Sequence, residues 1–347
     1  MTRRGSIVIL SSVCLILFGG YARTETSGQK LAQRAGKTLV GKPAPRLKLT
    51  TIDGDTIDLG QLYGKKAVYL KFWATWCTPC REQMPHFQRT YDAAGPDLAV
   101  IAIDVGFNDS VDEIRSFRQK TGIAMPIVFD DGRAGGAFHL RVTPQHIVIG
   151  RDGRIQYVGH LADAQLDAAL LAARTASPAG ASGPIANSHE APVSVHYGIG
   201  DRLPARSLKL LDGGTMPFRD TVDGRTTVLV FLSPWCESYL ATTRPVVSAN
   251  CRRMREQVSA LSDTPRIRWL GIASGLWATS EDLNGYRTKN QVRMPLALDE
   301  SGTLFRAFDV NEVPQSVIAD EHGRIVRIIR GADLRDPSTL RSAISQR

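Results

Sequence analysis

The sequence predicts an α/β protein built from two tandem units, each a central mixed β-sheet flanked by helices. Three observations carry that prediction. First, 347 residues are too many for one ordinary small domain and suit two. Second, the chain repeats itself. "VGKPAPRLKLTTIDGDTIDLGQLYGKKAVYLKFWATWC" ends at Cys77, and "IGDRLPARSLKLLDGGTMPFRDTVDGRTTVLVFLSPWC" ends at Cys236, an offset of 159. Further along, "AMPIVFDD" (124–131) is answered by "RMPLALDE" (293–300), and "VTPQHIVIGRDGRI" (142–155) by "EVPQSVIADEHGRI" (312–325), at offsets of 169 and 170. A unit of about 140 residues has been duplicated. Third, within each copy short apolar runs alternate with helical patterns, the signature of a βαβ crossover followed by a hairpin.

The elements follow in order. "MTRRGSIVILSSVCLILFGGYARTE" opens the chain. Arg3 and Arg4 form a positive region, Ile7 to Phe18 an apolar one, and Gly20-Tyr21-Ala22 offers small residues for cleavage. Residues 1–22 are therefore expected to be a signal peptide, or else an uncleaved membrane anchor; Cys14 is one more apolar residue of this segment. Export would place the other four cysteines in an oxidising compartment, periplasmic or otherwise extracytoplasmic. The formal charge of +9 suggests no nucleic-acid track, because residues 1–40 alone hold six basic residues against one acid. An apolar fraction of 43% and a charged fraction of 22% fit a globular chain.

The first unit is expected over 41–174. Asp53-Gly54 marks a turn between short strands, "AVYLKFW" reads as a buried strand, a helix follows the cysteine motif, and "LAVIAID" is the next strand. A further helix, a strand near Thr143-Pro144, its hairpin partner and a last helix complete the unit. Residues 175–196, rich in Ala, Ser, Pro and Gly, read as a flexible linker. The second unit, 197–347, repeats the scheme with the Asp212-Gly213 turn and the strands "TTVLVFL" and "RWLGIAS". The offset grows by ten after Cys236, which predicts a longer helix there. Val247, Cys251, Met254, Val258 and Leu261 would form its apolar face.

Cys77-Thr78-Pro79-Cys80 follows a strand and opens a helix. Free N–H groups and the macrodipole at a helix N-terminus favour the thiolate, the species that attacks a disulfide. Proline fits the first helical position, Pro79 being expected there. Two intervening residues bring the second thiol back over the first, so a mixed disulfide resolves internally. Cys77, nearer the helix tip, is the expected nucleophile and Cys80 the resolving residue. A zinc site is disfavoured because no second ligand pair of suitable spacing occurs. A static structural disulfide is the competing account. The Thr-x-x-Cys pattern of a peroxidase is not evident, since Thr75 stands two before Cys77.

"FWATWCTPC", then Pro85, then Thr143-Pro144 about 67 residues after Cys77, resembles the extracytoplasmic TlpA/ResA type of thioredoxin-like protein. The resemblance covers 41–174 well and 197–347 in outline. It implies two tandem thioredoxin-like domains, the second degenerate. It also implies thiol–disulfide oxidoreductase activity on protein substrates, such as those of cytochrome c maturation, with recharging by a membrane thiol-electron carrier and no cofactor beyond the Cys77–Cys80 disulfide. By position, Pro144 resembles the family's cis-proline, leaving the Thr143 backbone free to pair with an extended substrate. Pro85 would kink the motif helix. Trp73 is expected in the core and Trp76 on the contact surface. Lys71 departs from the family's polar or acidic residue beneath the motif. It is either a buried lysine that modulates the thiols or a side chain that snorkels to the sheet edge. His86 is expected at the surface, and His139 and His146 are assigned no role.

In the second copy Cys236 stands at the position of Cys77, Tyr239 replaces Cys80, and Val313-Pro314 keeps the cis-proline position. A lone thiol forms a mixed disulfide but cannot release it unaided, and Glu237 beside it disfavours the thiolate. Three fates compete. Cys236 is an inert thiol in a binding or structural module, or it pairs with Cys251, or it docks a partner or takes electrons from Cys77/Cys80. A continuous helix would hold the Cα atoms of Cys236 and Cys251 about 22 Å apart, so pairing would need Pro245 to break that helix. The place of Cys251 on the apolar stripe favours a buried inert thiol. For the whole chain, a reductase of protein disulfides competes with a non-catalytic partner-binding protein and with an oxidase or isomerase.

Overall fold

The computed structural model describes residues 27–176, 195–219 and 224–345. The leader and most of the linker expected from the sequence lie outside them. No described helix is long and apolar enough to cross a membrane.

The first lobe runs α1 (Ser27–Leu39), β1 (Lys48–Thr50), β2 (Thr56–Asp58), α2 (Leu59–Leu62), β3 (Ala67–Trp73), α3 (Thr78–Glu82), α4 (Met84–Asp92), β4 (Leu98–Asp104), α5 (Val111–Thr121), β5 (Ile127–Phe129), α6 (Arg133–Ala137), β6 (Gln145–Ile149), β7 (Ile155–Gly159) and α7 (Ala164–Thr175). Its sheet has the order β5-β4-β3-β6-β7. β3 is parallel to β4 and antiparallel to β6, with Tyr69 facing Val100 on one side and Val148 on the other. All seven residues of β3 are buried, as a nearly unbroken apolar run requires of a central strand. Each fully buried large apolar side chain there contributes about 1.5–3 kcal/mol.

The second lobe runs β8 (Ser207–Lys209), β9 (Thr215–Pro217), β10 (Thr226–Leu232), α8 (Cys236–Thr243), α9 (Pro245–Leu261), β11 (Ile267–Ser274), α10 (Ser280–Lys289), β12 (Leu296–Asp299), α11 (Thr303–Ala307), β13 (Gln315–Ala319), β14 (Ile325–Arg330) and α12 (Thr339–Ser345). Its sheet order, β12-β11-β10-β13-β14, repeats the first. Val228, which corresponds to Tyr69, faces Trp269 and Ile318, so the repeat seen in sequence is a repeat of register. Asp-Gly turns close the small hairpins β1–β2 and β8–β9, with Gly54 and Gly213 at positive φ.

Two elements depart from the sequence reading. α1 precedes the expected start at Gly41 and packs on β7, where Gly36 lies against Val158; Leu31 and Ala32 cover Val142, and the His160 imidazole fills the space over Gly28. The long helix expected after Cys236 exists, but as two helices. Arg244 (φ −140, ψ 65) leaves the helical region and Pro245 starts α9. One cluster of buried side chains extends from the first lobe into the second, so the lobes share a core.

Candidate active site

β3 delivers the chain to the site. After Trp73 the loop at Thr75 is held by Asp109, which accepts from the Thr75 N–H at 2.7 Å and from its hydroxyl at 2.5 Å. The Trp76 indole donates to the Phe107 carbonyl at 2.7 Å. These bonds fix the approach to Cys77, the N-cap of α3. Cys77 and Cys80 form a disulfide with Cα atoms 5.2 Å apart, and the Cys80 N–H points at Cys77 Sγ at 3.2 Å. Thr78 takes the first helical position and Pro79 the second, one residue later than expected; either place is in the first turn, where a missing N–H is harmless. The helix breaks at Gln83 (φ −90, ψ 0), just ahead of Pro85. A break there is what a proline in mid-helix imposes, since its ring clashes with the preceding turn.

The Thr143–Pro144 peptide is cis, as is Val313–Pro314. His160 Nδ1 donates to the Pro144 carbonyl at 2.7 Å, tying the cis-proline loop to the residue that follows β7. Gln83, at the helix break, donates to the His160 carbonyl at 3.2 Å and faces His146 Nε2 at 2.8 Å. His146 is fully buried and also bonds the Tyr69 hydroxyl. Burial holds its imidazole well below the ordinary pKa, so it is a neutral core histidine. His86 pairs with Asp167 near the surface.

Lys71 does not snorkel. It lies in the middle of β3 with no exposed surface, its Nζ donating to the Cys80 carbonyl at 3.3 Å and sitting 5.2 Å from the Phe87 ring centre. Burial lowers its pKa from 10.5 to about 7. An amine that both holds and releases protons near neutrality thus stands directly beneath the resolving cysteine. Trp73 lies in the core, as expected.

The sequence reading placed Cys77 at an accessible helix tip and Trp76 on an open contact surface. Both are buried: Cys77, Cys80 and Thr143 are 0% exposed and Trp76 1%. The second lobe lies against the residues around the pair. Trp235 stacks on Trp76 with centroids 5.4 Å apart. Tyr239, at the position of the missing cysteine, accepts from the Thr78 N–H at 3.1 Å. The Trp277 indole donates to the Thr143 hydroxyl at 2.9 Å. Arg244 donates to Asp109 at 2.6 Å and to the Thr75 hydroxyl at 2.7 Å. The Asp109 side chain is buried, and its carboxyl is raised from the ordinary value because burial outweighs the Thr75 and Arg244 bonds. Neither Asp109 nor Arg244 carries a sequence signal, since their partners are 34 and 135 residues away.

Cys236 is not an inert thiol, which corrects the reading its apolar surroundings favoured. It is disulfide-bonded to Cys251, with Cα atoms 6.3 Å apart. The continuous helix that would have kept them apart is broken between Thr243 and Pro245, and α9 folds back along α8. Glu237 does not act on a thiolate. It pairs with Arg255 through two bonds of 2.7 and 2.9 Å, and Ser248 donates to its carbonyl, further fastening the elbow.

Residues 40–158 match the AhpC/TSA family model, a stretch inside the first lobe. The chain is 31% identical over 138 residues to thiol-disulfide oxidoreductase ResA of Bacillus thuringiensis (strain Al Hakam), covering 39% of this chain and 78% of that protein. It is 30% identical over 168 residues to thioredoxin-like protein YneN of Bacillus subtilis (strain 168), covering 46% of this chain and 95% of that one. Among solved structures, a thiol:disulfide interchange protein of the thioredoxin family from Chlorobium tepidum TLS is 26% identical. It covers 38% of this chain and 96% of its own, with a TM-score of 0.35.

Proposed function

The chain belongs to the thioredoxin-like thiol–disulfide oxidoreductases, and on that premise we propose that it reduces protein disulfides outside the cytoplasm, with Cys77 attacking and Cys80 resolving. The observation that carries this reading is the closed Cys77–Cys80 pair at the start of α3, with the Cys80 N–H aimed at Cys77 Sγ. That N–H stabilises negative charge on Cys77 more than on Cys80, which makes Cys77 the thiolate of the reduced form.

The reaction balances in two displacements. The Cys77 thiolate attacks one sulfur of a substrate disulfide, a mixed disulfide forms, and the first substrate sulfur leaves as thiolate. Cys80 then loses its proton to the neutral Lys71 amine beneath it and attacks Cys77 Sγ. The second substrate sulfur leaves, and the Cys77–Cys80 disulfide remains. A dithiol carrier, at the membrane on this reading, returns the two electrons. Thr143 and Pro144 flank the substrate strand, with the Thr143 backbone as its hydrogen-bonding edge, and Trp76 gives an aromatic face. The apolar leader at residues 7–18 supports the extracytoplasmic setting, and cytochrome apoproteins are candidate substrates. The second lobe, with Cys236, Tyr239 and Pro314 at the degenerate site, adds no exchange chemistry.

Insulin reduction with a recycling dithiol tests the reading. Activity is expected in the natural chain, none in Cys77→Ser, and a trapped mixed disulfide in Cys80→Ser. Full activity in Cys77→Ser would sink it. The burial of both sulfurs favours a second reading, a structural disulfide in a partner-binding protein. A Cys77/Cys80 potential below about −300 mV would select that one.

A further inference from the structure

The contact between the lobes is built on a pseudo-twofold axis. Trp76 and Trp235, equivalent by the repeat, stack on one another. Each indole donates within its own lobe to an equivalent carbonyl, Phe107 or Leu276. The next residue in each lobe, Asn108 or Trp277, has positive φ. Each crosses the interface with its backbone N–H, Asn108 to the Asn311 carbonyl at 2.8 Å and Trp277 to the Arg141 carbonyl at 2.9 Å. Asn311 and Arg141 are themselves equivalent, three residues before the cis-proline. The side chains complete the match: Trp277 reaches Thr143, and Asn108 Oδ1 accepts from the Val313 N–H at 3.1 Å. The geometry needs glycine just ahead, at Gly106 and Gly275, where a Cβ would strike the carbonyls of Asp130 and Asp299. Equivalent residues meeting pairwise are the mark of an isologous interface, and incidental packing of two tethered domains does not produce them.

On this axis the second lobe contributes something the first does not return. Trp235, Tyr239 and Arg244 are the N-cap, an interior residue and the C-cap of α8. Together they lie over Trp76, the Thr78 N–H and the Thr75/Asp109 loop, which surround Cys77. We propose that the second lobe is the resident occupant of the redox face: it docks on the first lobe as a tethered sister domain, closes the Cys77–Cys80 site, and must be displaced before a substrate protein reaches Cys77. Loss of the second cysteine at Tyr239 fits that role. A hydroxyl at this position bonds the Thr78 N–H at the helix tip and offers no sulfur there to exchange with Cys77. The proposal rests on the oxidoreductase reading for the identity of the excluded substrate, and on the geometry alone for the closure.

The test is the rate at which dithiothreitol reduces Cys77–Cys80 in the oxidised full chain, read by timed alkylation and peptide mass spectrometry. Arg244→Ala removes the bond to Asp109, Trp277→Ala the contact with Thr143, and Tyr239→Phe a single hydroxyl, the variant least able to disturb folding. Where reaction needs opening, each lost contact raises the open population and the rate together. The expected gain is about tenfold or more for Arg244→Ala and Trp277→Ala, and several-fold for Tyr239→Phe. Rates within about twofold of the natural chain in all three variants overturn the closure, whatever the insulin assay gives. Faster reduction in the variants, with no insulin turnover in any of them, upholds the closure and overturns the reductase reading instead.

Discussion

Lys71 is the residue whose environment says most about this site. A lysine in a seven-residue strand with no exposure is the kind of local conflict that accompanies function. Its pKa falls on folding from 10.5 to about 7, so between those values the unfolded chain holds a proton that the folded chain has released. Stability contributed at this position is therefore complete above about 10.5 and is lost as pH falls toward about 7. Urea unfolding of the oxidised protein is expected to show Lys71→Met more stable than the natural chain at pH 7, with the gap closing as pH rises. The closing slope approaches about 1.4 kcal/mol per pH unit. A constant gap across that window would mean that Lys71 keeps its charge. The sequence makes the lysine visible at once, because it interrupts an apolar run. Its burial was open, since a strand position does not say whether a long side chain turns in or reaches an edge. Asp109 is the opposite case. In the sequence it is one acid at the start of the helix expected around 109–120, and only the fold brings it under Thr75.

At the level of elements, the elbow between α8 and α9 is the feature that the apolar periodicity alone would misread. The periodicity from Val247 to Leu261 correctly marks α9, but it carries no information about where the preceding helix stops. Pro245 does carry it, because a proline ring clashes with the turn before it. Once the helix bends, Cys236 and Cys251 come within bonding reach. Closing that loop of 15 residues constrains the unfolded chain by about 3 kcal/mol. Cys251→Ser is accordingly expected to lower the unfolding free energy by about that amount. It should also loosen α8, whose remaining fasteners to α9 are the Glu237–Arg255 pair and the Ser248 bond. Chemical unfolding curves of the two forms measure this, and coincident midpoints would show that the disulfide fastens nothing. By contrast α3 and α4 are joined by a milder break at Gln83, and there the sequence identified both the site and its cause, Pro85.

Over the whole molecule, the two lobes form one body with a shared buried cluster and a face-to-face interface. Such continuity predicts cooperative unfolding. Calorimetry of the natural chain should give a single transition, and Trp235→Ala should split it in two by removing the ring that stacks on Trp76. Two separated transitions in the natural chain would mean that the interface couples little. A thioredoxin-like relative covers a little under half of this chain; on the closure proposed above, the second lobe is what would set this protein apart from a lone redox domain.

The duplicated α/β architecture and the Cys77-x-x-Cys80 motif are legible in the amino-acid chain, because they rest on local pattern and on spacing that recurs in both copies; the two cis-prolines are expected there only through the family resemblance, and the register of the sheets came with the fold. The assembled fold alone buries Cys77 and Cys80, joins Cys236 to Cys251 and brings Arg244 to Asp109. The burial of the pair and the Arg244–Asp109 bond rest on contacts between lobes more than a hundred residues apart, where neither lobe's own folding code specifies its neighbour and complementarity across the assembled faces makes the choice; the Cys236–Cys251 bond closes inside one lobe, over 15 residues, once the chain turns at Pro245.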